Sequence, residues 1–482
     1  MDLRCLLYCF IGLLSVTYGQ SFQLNQSLHQ AVQNTWIDVG YRPLKMPGKQ
    51  PWIRSLDSAY ALKYNDSTDL YLAASPTGQI SLGIEKSQPS MRFLNARGLL
   101  LVAGNTRLKC HALFMENQAL FAAYQQQFIA QHGEYLPTNA GYVQENGMVP
   151  SASRTKPFKN GGVDYAFSTG GVEWFINKRL SILMGNQQLS FGPGYRSVFW
   201  SDHNQAMKAG VVTKVGRHFT YITIRGRLID LIRKPVFANV ESPYSKKGYA
   251  LQALCFDKNK HHIGLFYQTI WRGSDSLRDI PVSPLFWVPF PGIDRIKSGE
   301  TSMPQIGVLY RFEINRNCSM YSEVFSRGLQ NGAWAGQVGI KYFKSLENKF
   351  IVSLNASVMA VGGSFYGNSS WVSFSHQNLP LGTILGNGTR EFMFNGKISI
   401  KKWYVESTLE LNAQQSGLSL LVIPIILPNQ SVFQCAGELG YEFSSAIQLQ
   451  GFVSVLYRNA TQSTTLFNAG IKTAIFKNPH VY

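Results

Sequence analysis

Long stretches of strict apolar/polar alternation, a charged-residue content of only 15% and an aromatic content of 13% predict an all-β chain. The architecture they point to is a transmembrane antiparallel β-barrel of about eighteen strands with a short N-terminal segment and an inserted helix. Side chains on a strand alternate between two faces. Ile306, Val308, Tyr310, Phe312 and Ile314 thus share one face, and Gly307, Leu309, Arg311, Glu313 and Asn315 the other. The pattern recurs from Phe350 to Ala360, from Glu391 to Lys401 and from Trp403 to Asn412. Soluble sandwich strands average about five or six residues, whereas a tilted strand crossing a bilayer needs roughly nine to eleven. The runs here are of the longer kind. That favours apolar side chains facing lipid around a polar lumen over a large secreted β-protein.

The elements follow in order. Residues 1–19 read as a signal peptide: Arg4, an apolar run from Cys5 to Val16, then small residues before Gln20. Residues 20–68 form a short periplasmic segment, weakly helical from Leu24 to Val39 and then punctuated by Pro43, Pro47 and Pro51. The barrel occupies 69–482, with strands beginning near Tyr71 and an early hairpin turning at Gly104-Asn105. Residues 117–162 make an insert too long for an ordinary loop. In it Ala119, Leu120, Ala123, Tyr124, Phe128 and Ile129 recur at helical spacing and Gly133 stops the run, giving a helix that plugs the lumen or caps the mouth.

Beyond the insert, short connections such as 215–216, 258–260, 315–317 and 402–403 alternate with long ones such as 229–247, 272–303, 362–389 and 414–431. Outer-membrane barrels keep short turns in the periplasm and long loops outside, so this parity puts the C-terminus in the periplasm and residues 191–206 on the extracellular side.

The net charge of +18 comes from interspersed basic residues, which argues against a nucleic-acid arm and for attraction to anionic surfaces such as lipopolysaccharide phosphates or acidic polysaccharide. A solvated excess of Lys and Arg accounts for it equally well. Cys110, Cys255, Cys318 and Cys435 are far apart with no CxxC pair; two disulfides are open to them, but chance occupancy of strands fits better. The Asn-x-Ser/Thr sequons, among them Asn355 in mid-strand, read as coincidence.

The densest unusual stretch is Phe191-Gly192-Pro193-Gly194-Tyr195-Arg196-Ser197-Val198-Phe199-Trp200-Ser201-Asp202-His203-Asn204. Two glycines around a proline force an abrupt change of direction and let the backbone approach another surface closely. Aromatic rings beside Arg and Asp suit sugar recognition, by stacking and charged hydrogen bonds. Equally, Arg196 and Asp202 can pair across a folded loop that packs against the barrel wall, and at the level of the residues this second reading has the slight edge.

The string GPGYRS followed by SD, preceded by Arg154-Thr155-Lys156-Pro157-Phe158 and Gly162-Val163-Asp164-Tyr165-Ala166, resembles the Wzi family of capsule-assembly outer-membrane proteins. Asn95-Ala96-Arg97-Gly98 and Glu116-Asn117-Gln118 resemble that family's early strands and the approach to its helix. The likeness is concentrated between about 95 and 210; the remainder agrees in texture. The family pattern reads SDN where this chain has Ser201-Asp202-His203, so no ligand role passes to His203. The resemblance implies a non-enzymatic surface lectin that helps anchor capsular or related polysaccharide.

Other functions fit less well. Ser201, Asp202 and His203 are consecutive and cannot readily form a triad, and no GxSxG, HExxH or nucleotide loop occurs. A lipid-modifying outer-membrane enzyme is therefore the weakest alternative. A porin is the strongest: the inferred lumen carries charges of both signs, including Arg311, Glu391, Lys397, Glu410, Glu438 and Lys472. A closed barrel whose inner charges pair with one another fits the same list. The expectation is a monomeric outer-membrane barrel with no catalytic residues, metal or cofactor. It meets polysaccharide through Tyr195, Arg196, Trp200 and Asp202, with Trp271, Trp287 and Trp371 as weaker contacts. Outer-membrane lipid and lipopolysaccharide are the other expected partners, docking of a periplasmic partner on 20–65 is left open, and nucleic acid is not among them.

Overall fold

A computed structural model describes residues 37–38, 62–65, 71–86, 88, 91–152, 154–186, 190–201, 203–204, 206–233, 243–274, 288, 290–291, 302–328, 333–346, 350–367, 372–415, 417–418, 426–427, 429–444 and 449–473. The signal-peptide reading of 1–19, Asp202, Trp287 and Trp371 lie outside them.

Eighteen antiparallel strands close into a barrel. They are β1 (Tyr71–Glu85), β2 (Met91–Gly104), β3 (Leu108–Leu120), β4 (Gly162–Phe175), β5 (Leu180–Gly185) and β6 (Met207–Val215). The series continues with β7 (Phe219–Arg233), β8 (Tyr244–Lys258), β9 (His261–Arg272), β10 (Ser302–Glu313), β11 (Cys318–Ser326) and β12 (Trp334–Leu346). It ends with β13 (Phe350–Val361), β14 (Thr389–Ile400), β15 (Trp403–Gln414), β16 (Gln430–Ser444), β17 (Leu449–Asn459) and β18 (Ser463–Thr473). Neighbours in sequence pair with one another, and β18 returns to β1 with Ile471 opposite Ile80, so the wall leaves no open edge.

The outer face is apolar. On β1, Ile80, Leu82 and Ile84 are 55–65% exposed, while Ser75, Thr77, Gln79 and Ser81 on the alternate positions point inward and are buried. This inverts the pattern of a water-soluble protein and suits lipid outside. Among the described residues no helix is long and apolar enough to cross a membrane. Trp403 packs edge-on to Tyr441, and Tyr441 to Phe443, beside the turn at 401–402, as an interfacial aromatic girdle does.

The lumen departs from the expected polar lining. Over β14 to β18 and β1 it is polar, with Glu391, Glu410, Asn412, Gln434 and Gln79 buried there. Over β7 to β13 the inward positions mix apolar Ile224, Leu251, Phe266, Ile270, Leu309, Phe325 and Met359 with buried Gln268, Gln305, Glu323 and Gln337. Inward apolar side chains are what a wall needs when something apolar fills the interior, and two long connections do so.

The single described α-helix, α1 (Ala123–Gln131), starts later than the sequence spacing predicts, because Ala119 and Leu120 belong to β3. Glu85 at the end of β1 accepts from the Ala123 N–H, placing a carboxylate at the helix N-terminus. Tyr124 lies against Arg458 on β17, and Phe128 packs toward Leu231 on β7. The helix therefore crosses the end of the barrel that carries the long connections. Ile37–Asp38, from the segment read as periplasmic, pair with Ser190–Phe191, and Leu62–Asn65 pair with the start of β1. Cys110, Cys255, Cys318 and Cys435 are all free thiols.

Candidate functional site

The unusual stretch between β5 and β6 leaves the wall and folds into the lumen. Gly192 makes the turn with φ +113°, and a Cβ there would stand 2.0 Å from Glu323 Oε1 on β11. At Gly194 a Cβ would come within 3.0 Å of Gln337 Nε2 on β12. Two glycines thus let the backbone press directly onto the inner wall.

Beyond them the chain is fastened residue by residue. Ser197 Oγ donates to Glu323 Oε2 (2.8 Å) and accepts the Phe199 N–H (3.0 Å), and the Val198 N–H donates to the same carboxylate oxygen (3.2 Å). Phe199 stacks on Phe325 at 4.3 Å with only 8° between the rings. Trp200, 1% exposed, packs on Tyr249 at 5.1 Å.

Arg196 is 9% exposed and forks between two neighbouring strands. One Nη donates to Glu391 on β14 at 2.7 Å, the other to Glu410 on β15 at 3.2 Å. Burial alone would lower its proton affinity, but the two carboxylates outweigh that and hold the guanidinium charged, above its ordinary range.

A second connection, 362–388, folds in from the opposite side. Tyr366 Oη donates to the Val198 carbonyl (2.6 Å) and accepts the Thr383 N–H (2.9 Å). His203 Nε2 donates to the Pro380 carbonyl (2.6 Å), and the Ser201 N–H and Asn204 Nδ2 both donate to the Leu381 carbonyl (2.8 Å). Lys247 on β8 bonds Asp230 on β7 (2.7 Å) together with Ser373 and Ser375. His376 accepts the Ile229 N–H; burial, then the charges of Lys247 and Lys208, push it down to about 3. The two connections and the apolar wall form one continuous core.

Above this plug the insert is tied down by Glu134, which is 1% exposed and held by Arg154 (2.9 Å), Arg233 (3.0 Å) and Tyr244 Oη (2.6 Å). Burial favours the neutral acid, but those partners and Asn146 prevail and keep it below the usual carboxylate range. The hairpin that starts there exposes Tyr142, Val143 and Glu145.

Of the residues singled out from sequence, Arg196 and Trp200 lie in the plug, Tyr195 is half-buried beside them, and Trp271 is 6% exposed on the outer side of β9. The inner charges pair: Lys397 with Glu406, Lys472 with Glu438, and Arg311 with Glu313. Sequence reasoning missed the link from Arg196 to Glu391 and Glu410, although each carries the inward parity of its strand. It also missed Glu323, which has no local motif. Among the described residues no group of three His, Cys, Asp or Glu could hold a metal ion.

No family profile matches the sequence, and no curated protein matches it. The fold has solved counterparts. A structure described as Wzi, an outer-membrane protein involved in group 1 capsule assembly in Escherichia coli and a carbohydrate-binding β-barrel, aligns over 96% of this chain and 95% of its own, with TM-score 0.53 and 12% identity. Acinetobacter baumannii OccAB4 aligns over 85% of this chain and 98% of its own at TM-score 0.45 and 8% identity. Pseudomonas aeruginosa OccK8 does so over 83% and 97% at 0.40 and 9%. The first supports the outer-membrane barrel fold; the other two are too distant to bear on the argument.

Proposed function

We propose that this protein is a non-enzymatic outer-membrane barrel that binds surface polysaccharide, of capsular or related type, at its extracellular mouth and does not conduct solutes. The observation that carries the reading is the plug. The 190–206 and 362–388 connections share one hydrophobic core with the wall and are pinned by Arg196, so the lumen is occupied where a diffusion pore would be open. The fold shared with a carbohydrate-binding barrel supports the ligand class. In this reading Arg196 and Trp200 brace the floor of the mouth, and Tyr195 and Asp202 belong to the same motif. The exposed Tyr142 of the anchored hairpin offers a ring on which a sugar face can stack.

The test is binding of the purified, detergent-folded protein to polysaccharide from its own cells, with bilayer conductance recorded on the same preparation. Binding with negligible conductance is expected. Steady conductance without binding would make it a porin.

A further inference from the structure

Among the described residues, every short turn on the rim that joins the strands is basic. Six described turns join strands there, at 105–107, 176–179, 216–218, 259–260, 314–317 and 401–402. Eight of their eighteen residues are Lys or Arg and none is Asp or Glu, whereas the whole chain has 45 basic residues in 482. A chance share would put fewer than two there. Every one of the six turns contributes at least one exposed cation: Arg107, Arg179, Arg217, Lys260, Arg316 and Lys402.

Their depth is set by the aromatics next to them. Trp174, 50% exposed, precedes the turn that holds Arg179; Phe219, 43% exposed, follows Arg217; Trp403, 39% exposed, follows Lys402, whose Nζ lies 5.9 Å from the Tyr441 ring. Aromatic girdles mark the level of the headgroups, so cations one or two residues beyond them stand at the level of phosphate. Of the carboxylates close by, Asp257 pairs with His262 (2.6 Å) and Glu313 with His262 (3.0 Å) and Arg311 (3.3 Å), while Glu442 sits beside Lys402, its backbone N–H donating to the Lys402 carbonyl (2.8 Å).

We propose that this rim is a binding annulus for anionic phospholipid headgroups in the leaflet it faces, the periplasmic one if the barrel is oriented by its loop lengths as above. The proposal rests on the outer-membrane reading but not on polysaccharide binding. A lipid fits better than a docked protein because the cations recur from the β2–β3 turn to the β14–β15 turn, around most of the circumference, where a protein would engage one arc.

The test uses the full-length protein in vesicles containing one lipid in ten brominated in its acyl chains, either phosphatidylglycerol or phosphatidylcholine, with tryptophan quenching as readout. Trp174 and Trp403 are the local reporters. Stronger quenching by the anionic lipid is expected, weakening at high salt as screening shortens the reach of the charges. Each neutralised turn should lower the anionic preference by up to about fivefold. The combined variant Arg107→Gln, Arg179→Gln, Arg217→Gln, Lys260→Gln, Arg316→Gln and Lys402→Gln should quench equally in both lipids while remaining heat-modifiable. Equal quenching in the unaltered protein, or an unchanged preference in the combined variant, overturns the annulus. Binding of soluble polyglutamate by the detergent-folded protein as tightly as anionic micelles would assign the rim to a water-borne partner and overturn it too. No quenching by either lipid would sink the membrane reading itself.

Discussion

Arg196 and Glu391 meet at 2.7 Å across 195 residues of sequence, which fastens the connection between β5 and β6 to the far wall of the barrel. Removing one member of a buried pair leaves the other charge stranded, typically at a cost of about 3–5 kcal/mol. Arg196→Ala therefore strands Glu391 and Glu410 together and should lower the temperature at which the folded band converts to the unfolded one on gels. Arg196→Lys should recover only part, because one ammonium cannot fork to two carboxylates. An unchanged conversion temperature in Arg196→Ala would remove the pin from the account.

Gly192 offers a test that leaves every charge in place. Gly192→Val combines an unfavourable backbone at φ +113° with a collision against Glu323, so the loop must lift from the wall. Single-channel conductance should appear in this variant. Gly216→Ala is the control: its φ is +66°, nothing lies within 4 Å of a Cβ there, and the cost should stay near 1–2 kcal/mol of backbone strain with no current.

Phe199→Ala should destabilise the folded barrel by about 3–5 kcal/mol in denaturant titrations in lipid, since it empties a stacked position in the core. Phe467→Ala, at a ring 56% exposed on the outer wall, should cost clearly less. Equal losses would mean that the plug contributes no more than the lipid face.

The second connection should respond to acid. His376 is neutral in the fold, with its proton affinity lowered from 6.5 to about 3, so the unfolded chain takes up the proton first as pH falls. Its contribution is complete above about pH 6.5 and declines by about 1.4 kcal/mol per unit down to pH 3. Hydrogen exchange at Phe374 and Leu381 should accelerate over that window. His376→Asn, whose Oδ1 can accept the Ile229 N–H, should flatten the dependence.

How much of this was legible depended on whether the signal was local. Alternation from Ile306 to Ile314 gives the strand and both of its faces, because period two is a property of consecutive residues. The start near Tyr71 and the alternation of short and long connections are local as well, and the structure follows them. The helix start is harder: Ala119 and Leu120 fit a helical stripe, yet their backbones pair with Val163 and Phe93 across β3, a partnership set by residues far along the chain. The greasy inner face of β7 to β9 was the larger miss. Leu251 or Phe266 on the inward parity looks like a defect in a polar lumen until the 190–206 connection is known to lie against it. For the site, the glycine–proline turn and its aromatic cluster stood out at once, but its inward direction depends on Glu391, Glu410 and Glu323, each more than a hundred residues away.

Strands β7 to β9 carry apolar side chains on both sides, Leu254 and Leu265 toward lipid and Leu251 and Phe266 toward the interior. Before closure, neither surface of that ribbon tolerates the aqueous compartment it must traverse, and such two-sided segments are prone to wrong association. The chain supplies Phe199 and Trp200 ahead of β7, so the cover for the inner surface is available before the surface itself emerges. The plug then acts first as a template for assembly and only later as a stopper. A chain lacking 190–206 is expected to accumulate as chaperone-bound, protease-sensitive material rather than reach the membrane as an open tube.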